Sequence, residues 1–170
     1  MSSSHLILGG ARSGKSRRAL MVAEAAAQRR VFIASAEASD DEMAERIARH
    51  KDERDELWTT IEAPLDIVGA LQAARESGDV ALVDCLTLWL SNLMHHDRDV
   101  EAEKARLCEA ISSMPIPVVL VSNEVGLGLV PDTPLGRAFR DAQGRLNQAV
   151  AAVCDRVEFV AAGMPITLKG

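Results

Sequence analysis

The chain has 170 residues, of which 48% are hydrophobic and 26% charged; this composition is typical of a globular protein, and we expect a single domain over residues 1–170. Its net charge of −6 and its aromatic content of 3% exclude a general nucleic-acid binder, which depends on basic patches and on rings that stack bases. Three cysteines without a C-x-x-C pair predict a reducing, cytoplasmic setting and no zinc site. No signal peptide is expected, because the first ten residues lack a basic stretch and a long apolar run, and no membrane insertion is expected, because no apolar run approaches about 18 residues.

Short apolar runs alternate with longer segments of helical pattern along the chain. The runs are rich in Val, Ile and Leu, as in parallel strands covered on both faces, and they span residues 5–8, 31–34, 80–83, 118–121, 157–160 and 166–168. Helical patterns cover residues 15–28, 41–54, 65–76 and 102–112, whereas residues 86–100 are predicted as a helix followed by a loop. This order favours an α/β fold with a mainly parallel sheet and helices on both faces.

The clearest helix begins near Thr133, which is predicted to cap it, with Pro134 at the first helical position. One apolar stripe follows along this helix, formed by Leu135, Phe139, Ala142, Leu146, Ala149 and Val153. We therefore expect these residues to form the buried side of the helix.

A glycine-rich loop lies between the first predicted strand and an Ala-rich helix. It consists of Gly9, Gly10, Ala11, Arg12, Ser13, Gly14, Lys15 and Ser16, and it fits the pattern G-x-x-x-x-G-K-[ST]. Backbone N–H groups and the helix N-terminus bind phosphate oxygens in such a loop. Lys15 is expected to reach the β- and γ-phosphates, and the Ser16 hydroxyl to bind Mg²⁺. The sequence thus predicts a phosphate-loop nucleotide-binding fold.

A second Mg²⁺ ligand is expected at the end of another buried strand. Asp84 follows the apolar residues 80–83, at the carboxyl edge where open α/β sheets bind ligands. The alternative is that Asp84 only caps the following helix, because Asp is also a favoured N-cap. Asn123 and Glu124 end a further strand at this edge, and they either line the site or have no part in it.

The phosphate loop alone does not identify the reaction. A GTPase switch is disfavoured, because neither residues 122–125 nor residues 84–87 fit the motifs N-K-x-D and D-x-x-G. A strand-moving ATPase is disfavoured by the acidic charge and the scarcity of aromatic residues. A small-molecule kinase or nucleotidyltransferase suits the compact chain.

A charged segment over residues 40–54 places Met43, Ile47, His50 and Arg54 on one helical face. His50 is either a partly buried structural histidine or a nucleophile toward a phosphoryl group, since Arg49, Lys51 and Arg54 would stabilise the charge that develops.

Other polar residues have simpler interpretations. His5 begins a strand, and His95 and His96 lie in a predicted loop where a metal pair is not expected. A set of arginines either embraces phosphates or forms a solvated helix face: Arg137, Arg140 and Arg145.

Several blocks of the sequence resemble the family of bifunctional adenosylcobinamide kinases/adenosylcobinamide-phosphate guanylyltransferases of cobalamin biosynthesis. They are residues 9–18, 40–43, 46–51, 58–62, 84–93, 121–131 and 139–148. These blocks run in order through nearly the whole chain, and the last two are more specific than the phosphate loop. The resemblance implies a RecA-like fold, a single kinase and guanylyltransferase domain, and a homotrimer.

The resemblance also implies two reactions. ATP or GTP phosphorylates the aminopropanol hydroxyl of adenosylcobinamide, and GMP is then transferred from GTP to that phosphate, giving adenosylcobinamide-GDP and pyrophosphate. The transfer passes through a guanylylated histidine that maps onto His50, since Arg49 stands where some relatives have a second histidine. The implied guanine nucleotide contacts are Ala34, Ser35, Ala36, Lys51, Asp52, Glu53, Arg54, Glu62 and Asp84. The alternative function is a phosphate-loop kinase of another small metabolite without guanylyltransferase activity.

Overall fold

The computed structural model describes residues 3–37, 44, 45, 48 and 54–170. A seven-stranded sheet with the order β3-β2-β4-β5-β1-β6-β7 forms the centre of the fold. Neighbouring strands are parallel, except for the antiparallel pair β6 and β7. The strands are β1 (Ser4–Gly9), β2 (Arg30–Ala34), β3 (Trp58–Glu62), β4 (Val80–Asp84), β5 (Val118–Asn123), β6 (Arg156–Ala161) and β7 (Met164–Lys169). The carboxyl ends of β1 to β6 consequently lie along the same edge of the sheet.

The described helices are α1 (Lys15–Ala26), α2 (Ile67–Ser77), α3 (Leu86–His95), α4 (Val100–Ser113) and α5 (Pro134–Val153). Asp66, Asp99 and Thr133 cap α2, α4 and α5, because each side chain accepts a hydrogen bond of 3.0 Å from the backbone N–H three residues later. The predicted cap at Thr133 and the helix start at Pro134 are confirmed.

Different helices cover the two faces of the sheet. On one face, Ala19 and Ala23 of α1 join Ile7 and Val121 in a buried cluster. On the opposite face, α2, α3, α4 and α5 pack in a larger cluster that includes Leu120. The expected α/β fold with a mainly parallel sheet and helices on both faces is therefore confirmed.

One edge strand was not predicted. In β3 the Trp58 side chain is buried, whereas Thr59, Thr60 and Glu62 are exposed. The strand therefore lacks the continuous apolar run that marks the central strands. Residues 86–100 form α3, a turn and the first residue of α4, so the helix predicted to begin at residue 102 begins at Val100.

The buried side of α5 differs from the predicted apolar stripe. Leu146 and Val150 are buried, but Leu135 is 70% exposed because it lies in the first turn of the helix, outside the packed core. Two buried positions on this helix are polar, Gln143 and Asn147. Their hydrogen bonds replace apolar contacts, which a periodicity of hydrophobic residues does not reveal.

The charged helix predicted over residues 41–54 lies largely outside the described residues. Ala44, Glu45 and Ala48 are helical and exposed. None of the helices in the described ranges combines the length and apolar character that crossing a bilayer requires.

Candidate nucleotide site

The phosphate loop joins the end of β1 to the start of α1. Gly14 has a φ of 95°, which is the left-handed conformation that glycine adopts readily, and it directly precedes the first helical residue, Lys15. The Lys15 side chain is 8% exposed, and its Nζ donates a hydrogen bond of 3.0 Å to the Gly10 carbonyl oxygen. Lys15 is thus held across the loop at the N-terminus of α1. An anion bound there interacts both with the Lys15 ammonium group and with the N–H groups of the helix.

Close packing inside the loop explains one of its glycines. A Cβ atom at Gly9 would lie 2.4 Å from the Ser13 Oγ and 2.8 Å from the Val160 carbonyl oxygen, so a larger residue does not fit. The Ser13 Oγ is buried and has no hydrogen-bond partner within the described part of the chain. Because an unpaired buried hydroxyl costs free energy, Ser13 suits a loop whose polar groups are completed by a bound phosphate.

The turn between β6 and β7 supports the loop from outside. The Gly163 N–H donates a hydrogen bond of 2.8 Å to the Ser13 carbonyl oxygen. A Cβ atom at Gly14 would lie 3.2 Å from the Gly163 Cα, so the turn packs directly on the loop. Sequence reasoning missed this contact, although the Ala162–Gly163 pair between two apolar runs is a turn signal.

Asp84 ends β4 at the carboxyl edge of the sheet, and the peptide bond that follows it is cis. The N-cap of α3 is Cys85 and not Asp84, so the interpretation of Asp84 as a helix cap is wrong. Burial and, to a lesser extent, the Asp84 charge raise the pKa of the Cys85 thiol to about 11, although hydrogen bonds from the backbone of Leu88 and Thr87 and the Lys15 charge act in the opposite direction. Val80 and Leu82 of β4 pack with the buried alanines of α1, and the alternation of side chains along β4 continues to Asp84, so Asp84 lies on the sheet face that α1 covers.

Ser35 holds the chain immediately after Asp84. Its fully buried Oγ donates to the Cys85 carbonyl oxygen at 2.7 Å and accepts from the Cys85 N–H at 2.8 Å. The Asn92 Nδ2 donates to the carbonyl oxygens of Ser35 and Pro64, at 2.8 and 2.9 Å. The Ser35 side chain thus has a structural role next to Asp84, and Asn92 is a supporting residue that sequence reasoning did not assign.

Some of the other expected nucleotide contacts lie within the described part of the chain, and some lie outside it. Glu62, Ala34 and Asp84 lie level across β3, β2 and β4, so the sheet register brings them to one edge. The Arg54 guanidinium lies 3.7 Å from the centre of the Phe32 ring. Ala36 is half-buried just beyond β2, and the exposed Arg12 has a φ of 56°. Outside the described residues lie His50, Lys51, Asp52 and Glu53.

The arginines of α5 take local partners. The Arg137 Nη1 donates to the carbonyl oxygens of Pro131 and Asp132, at 2.9 and 3.0 Å, and so holds the segment before the helix. Arg140 pairs with the neighbouring Asp141. Arg145 is exposed.

The histidines of the described residues are His5 in the sheet and His95 and His96 at the end of α3. His5 lies near the start of β1, as expected, and it is buried. The prediction of a loop at His95 is wrong, since His95 is the last residue of α3. The His96 Nε2 lies 3.4 Å from the Glu37 Oε1.

A groove of about 490 Å³ lies between α3 and the start of α5. Its lining residues are Ser91, Met94, His95, Thr133, Leu135, Gly136 and Phe139. Both helices pack on the sheet face opposite to α1. The groove is therefore separate from the cradle formed by the phosphate loop and α1.

The donor atoms at the loop fit a hard cation. The Ser16 hydroxyl lies in the first turn of α1, and the Asp84 carboxylate ends β4; both residues are partly exposed. Mg²⁺ prefers oxygen ligands and is bound by one or two protein groups together with substrate phosphates. Among the described residues there is no cluster of three or more His, Cys, Asp or Glu side chains that would hold a metal without such a substrate.

Comparisons with known proteins match nearly the whole chain to one family. The family model for cobinamide kinase / cobinamide phosphate guanyltransferase matches residues 5–168. The bifunctional adenosylcobalamin biosynthesis protein CobP of Pseudomonas aeruginosa is 47% identical over 167 residues, which cover 97% of this chain and 96% of that protein. The Escherichia coli protein CobU, also described as a bifunctional adenosylcobalamin biosynthesis protein, is 37% identical over 179 residues. The match covers 96% of this chain and 98% of that protein.

A solved structure supports the fold. The KaiC-like protein of Pyrococcus horikoshii OT3 matches with a TM-score of 0.57 and 14% identity, over 92% of this chain and 70% of that one. At this identity the likeness shows the fold alone. The family match and the identities above show more: the chain is an enzyme that belongs to the cobinamide kinase / cobinamide phosphate guanyltransferase family.

Proposed function

We propose that one phosphate loop serves two successive reactions in this chain. The first transfers the γ-phosphoryl group of ATP or GTP to the aminopropanol hydroxyl of adenosylcobinamide. The second transfers GMP from GTP to the resulting phosphate, giving adenosylcobinamide-GDP and pyrophosphate. The observation that carries the proposal is the buried Lys15, held across the loop at the N-terminus of α1, with Asp84 at the carboxyl end of β4 on the sheet face that α1 covers.

In the first reaction the protein mainly positions the triphosphate and stabilises its charge. The substrate hydroxyl oxygen bonds to the γ-phosphorus, the bond from that phosphorus to the β–γ bridging oxygen breaks, and the hydroxyl proton is released. Lys15 and the N–H groups of residues 9–16 face the charge that moves onto the β-phosphate. This step needs no covalent enzyme intermediate.

The second reaction is proposed to use His50 as a nucleophile. An imidazole nitrogen of His50 bonds to the α-phosphorus of GTP, and the α–β phosphoanhydride bond breaks to release pyrophosphate. An oxygen of adenosylcobinamide phosphate then bonds to the same phosphorus, and the phosphorus–nitrogen bond breaks to return neutral His50. Arg54 is proposed to contact the guanine nucleotide together with Ala34, Ser35, Ala36, Lys51, Asp52, Glu53, Glu62 and Asp84.

Ser16 and Asp84 are proposed to hold Mg²⁺, which neutralises phosphate charge when it is bound. We also propose that residues 1–170 form a single domain, that the enzyme acts in the cytoplasm, and that it assembles as a homotrimer. Free thiols at Cys85, Cys108 and Cys154 agree with a reducing compartment.

Product analysis tests the two-reaction proposal. The chain is incubated with adenosylcobinamide and Mg²⁺, with ATP in one sample and GTP in another, and the corrinoid products are separated and weighed by mass spectrometry. We expect adenosylcobinamide phosphate with ATP and adenosylcobinamide-GDP with GTP. Phosphorylation with both nucleotides but no GDP adduct would identify a kinase alone, and no product from adenosylcobinamide would point to another small substrate.

A further inference from the structure

The end of β5 forms one wall of the phosphate loop. Asn123 is the last residue of β5 and is level with Gly9 in the sheet register. The next N–H, that of Glu124, donates a hydrogen bond of 3.0 Å to the Gly9 carbonyl oxygen. Asn123 consequently lies between the phosphate loop on β1 and the strand that carries Asp84.

Strand alternation places Asn123 on the same sheet face as the phosphate-binding groups. Val119 and Val121 of β5 pack in the cluster that contains the buried alanines of α1, and Asn123 continues this alternation. Asp84 is level with Val121 on the adjacent strand, about 4.8 Å away. Asn123 is two residues further along β5 than Val121. It therefore lies about 7 Å beyond Asp84 in the strand direction, toward the carboxyl edge where the triphosphate is proposed to bind.

Side chains from two helices hold the backbone of Asn123. Its N–H donates a hydrogen bond of 2.8 Å to the Thr87 Oγ1, and its carbonyl oxygen accepts one of 3.1 Å from the Asn147 Nδ2. Thr87 lies in the first turn of α3, three residues after Asp84. The same short segment thus fixes the ends of both strands, β4 and β5.

A buried polar network in turn fixes Asn147. The Asn147 Oδ1 accepts hydrogen bonds from the Ser122 Oγ at 2.6 Å and from the Gln143 Nε2 at 2.9 Å. The Gln143 Nε2 also donates to the Ser122 Oγ at 3.0 Å. Ser122 and Gln143 are fully buried, and the Gln143 Oε1 has no hydrogen-bond partner in the described ranges.

This polar network costs more free energy than an apolar contact between α5 and β5 would. Burying polar groups costs free energy unless every group is paired, and apolar residues of similar volume would serve packing equally well. Through Thr87 and Asn147, two of these hydrogen bonds hold the backbone of Asn123, and strand alternation directs its side chain to the sheet face that α1 covers.

We propose that Asn123 is a catalytic residue whose side-chain amide donates a hydrogen bond to the phosphoryl group in transfer, and that Thr87 and Asn147 are its positioning residues. This inference rests on the proposed function of the phosphate loop. It adds a contact beyond the loop itself, contributed by the strand between the loop and Asp84. A donor aimed at developing phosphate charge acts on kcat more than on nucleotide binding.

Two matched variants of Thr87 test the positioning role. Thr87→Val keeps the shape of the side chain but removes the oxygen that accepts from Asn123, whereas Thr87→Ser keeps the oxygen. Steady-state kinetics of phosphoryl transfer to adenosylcobinamide should show kcat about tenfold lower in Thr87→Val, with the KM for the nucleotide within twofold of wild type. Thr87→Ser should restore most of kcat.

A double-mutant cycle shows whether Thr87 acts through Asn123. Asn123→Ala should lower kcat about 100-fold by removing the donor. In the Asn123→Ala background, Thr87→Val should change kcat by less than twofold, because the side chain that it positions is gone. Melting temperatures of all variants are measured alongside.

Specific results would overturn the inference. If the decrease of kcat in the double variant equals the product of the decreases in Thr87→Val and Asn123→Ala, the two residues act independently. A lower melting temperature of Thr87→Val with unchanged kcat would show that Thr87 has a structural role only. Wild-type kcat in Asn123→Ala would remove the proposed contact altogether. The proposed function is judged separately, by whether the wild-type chain turns over adenosylcobinamide at all.

Discussion

Arg18 and Glu158 form a two-pronged ion pair that ties the first turn of α1 to β6. The Arg18 Nε and Nη2 donate to the two carboxylate oxygens of Glu158 at 2.8 and 2.9 Å. Glu158 is 1% exposed and also lies 3.0 Å from the Arg156 Nη2 and 3.5 Å from the His5 Nε2. Because α1 begins at the phosphate loop, this cluster anchors the helix whose N-terminus carries Lys15.

Acid should destabilise the fold through this cluster. The hydrogen bond from Arg18 lowers the pKa of Glu158, so the stability that the carboxylate contributes is present above its ordinary value of 4.5 and is lost as the pH falls through its lower folded-state pKa. Burial lowers the pKa of His5, so protonation favours the unfolded chain as the pH falls below 6.5. We expect the free energy of unfolding, measured in urea between pH 3 and pH 8, to fall in both ranges.

Two variants separate these contributions. Glu158→Gln should be less stable than wild type at pH 7, because it leaves Arg18 without its charged partner, and its stability should change less below pH 4.5. His5→Phe should flatten the pH dependence just below pH 6.5. Wild-type pH profiles in both variants would contradict the assignment.

Lys15→Ala should abolish both activities together. The Lys15 charge faces the phosphate oxygens in each proposed transfer, and removing one such stabilising group commonly lowers kcat by about 100- to 1000-fold. The matched control is Lys104→Ala, which removes a lysine paired with Glu101 on the surface of α4 and should leave both rates unchanged. Near-normal guanylyl transfer in Lys15→Ala would reveal a second triphosphate site.

Asp84→Asn should reduce turnover far more than nucleotide binding. The change removes a charged oxygen ligand for Mg²⁺ and leaves the backbone cradle of the loop intact. Nucleotide Kd by calorimetry and kcat at several Mg²⁺ concentrations separate the two effects. Asp79→Asn is the control, because the Asp79 carboxylate forms an exposed ion pair with Arg29. Full activity with a lower melting temperature would make Asp84 structural.

Ser35→Ala should destabilise the chain by about 1–3 kcal/mol, because it leaves the buried Cys85 N–H without the Ser35 Oγ that accepts from it, whereas the Cys85 carbonyl oxygen keeps its hydrogen bond from the Trp89 N–H. Chemical denaturation measures this loss directly. Ser77→Ala is a suitable control, since the Ser77 hydroxyl donates to carbonyl oxygens of its own helix at an exposed position. Equal stability of the two variants would show that Ser35 does not support the segment after Asp84.

Local patterns were enough to predict the central sheet and the phosphate loop. Apolar runs of Val, Ile and Leu mark the central strands because both of their faces are buried. Thr133 with Pro134 marks the start of α5 because caps are local features. Edge strand β3 escaped prediction because most of its side chains are exposed.

Contacts between distant segments could not be predicted in the same way. Gln143 and Asn147 look like solvated helix residues in the sequence, yet they are buried because Ser122 and the backbone of Asn123 meet them across the fold. The Gly163 contact to the phosphate loop likewise depends on β6 lying beside β1. These interactions link residues that are far apart in the chain, so no local spacing encodes them.

A GMP adduct on His50 distinguishes the proposed guanylyl transfer from a kinase reaction, and labelled GTP detects such an adduct. The wild-type chain and His50→Asn are incubated with α-labelled GTP and Mg²⁺ without a corrinoid, denatured and split between acid, alkali and hydroxylamine. We predict a labelled wild-type protein whose label is lost in acid and hydroxylamine but survives alkali, as a phosphorus–nitrogen bond requires. His50→Asn should carry no label and should largely retain phosphoryl transfer to adenosylcobinamide, which needs no covalent step. A label that survives the loss of His50, or one that alkali removes, would contradict the account.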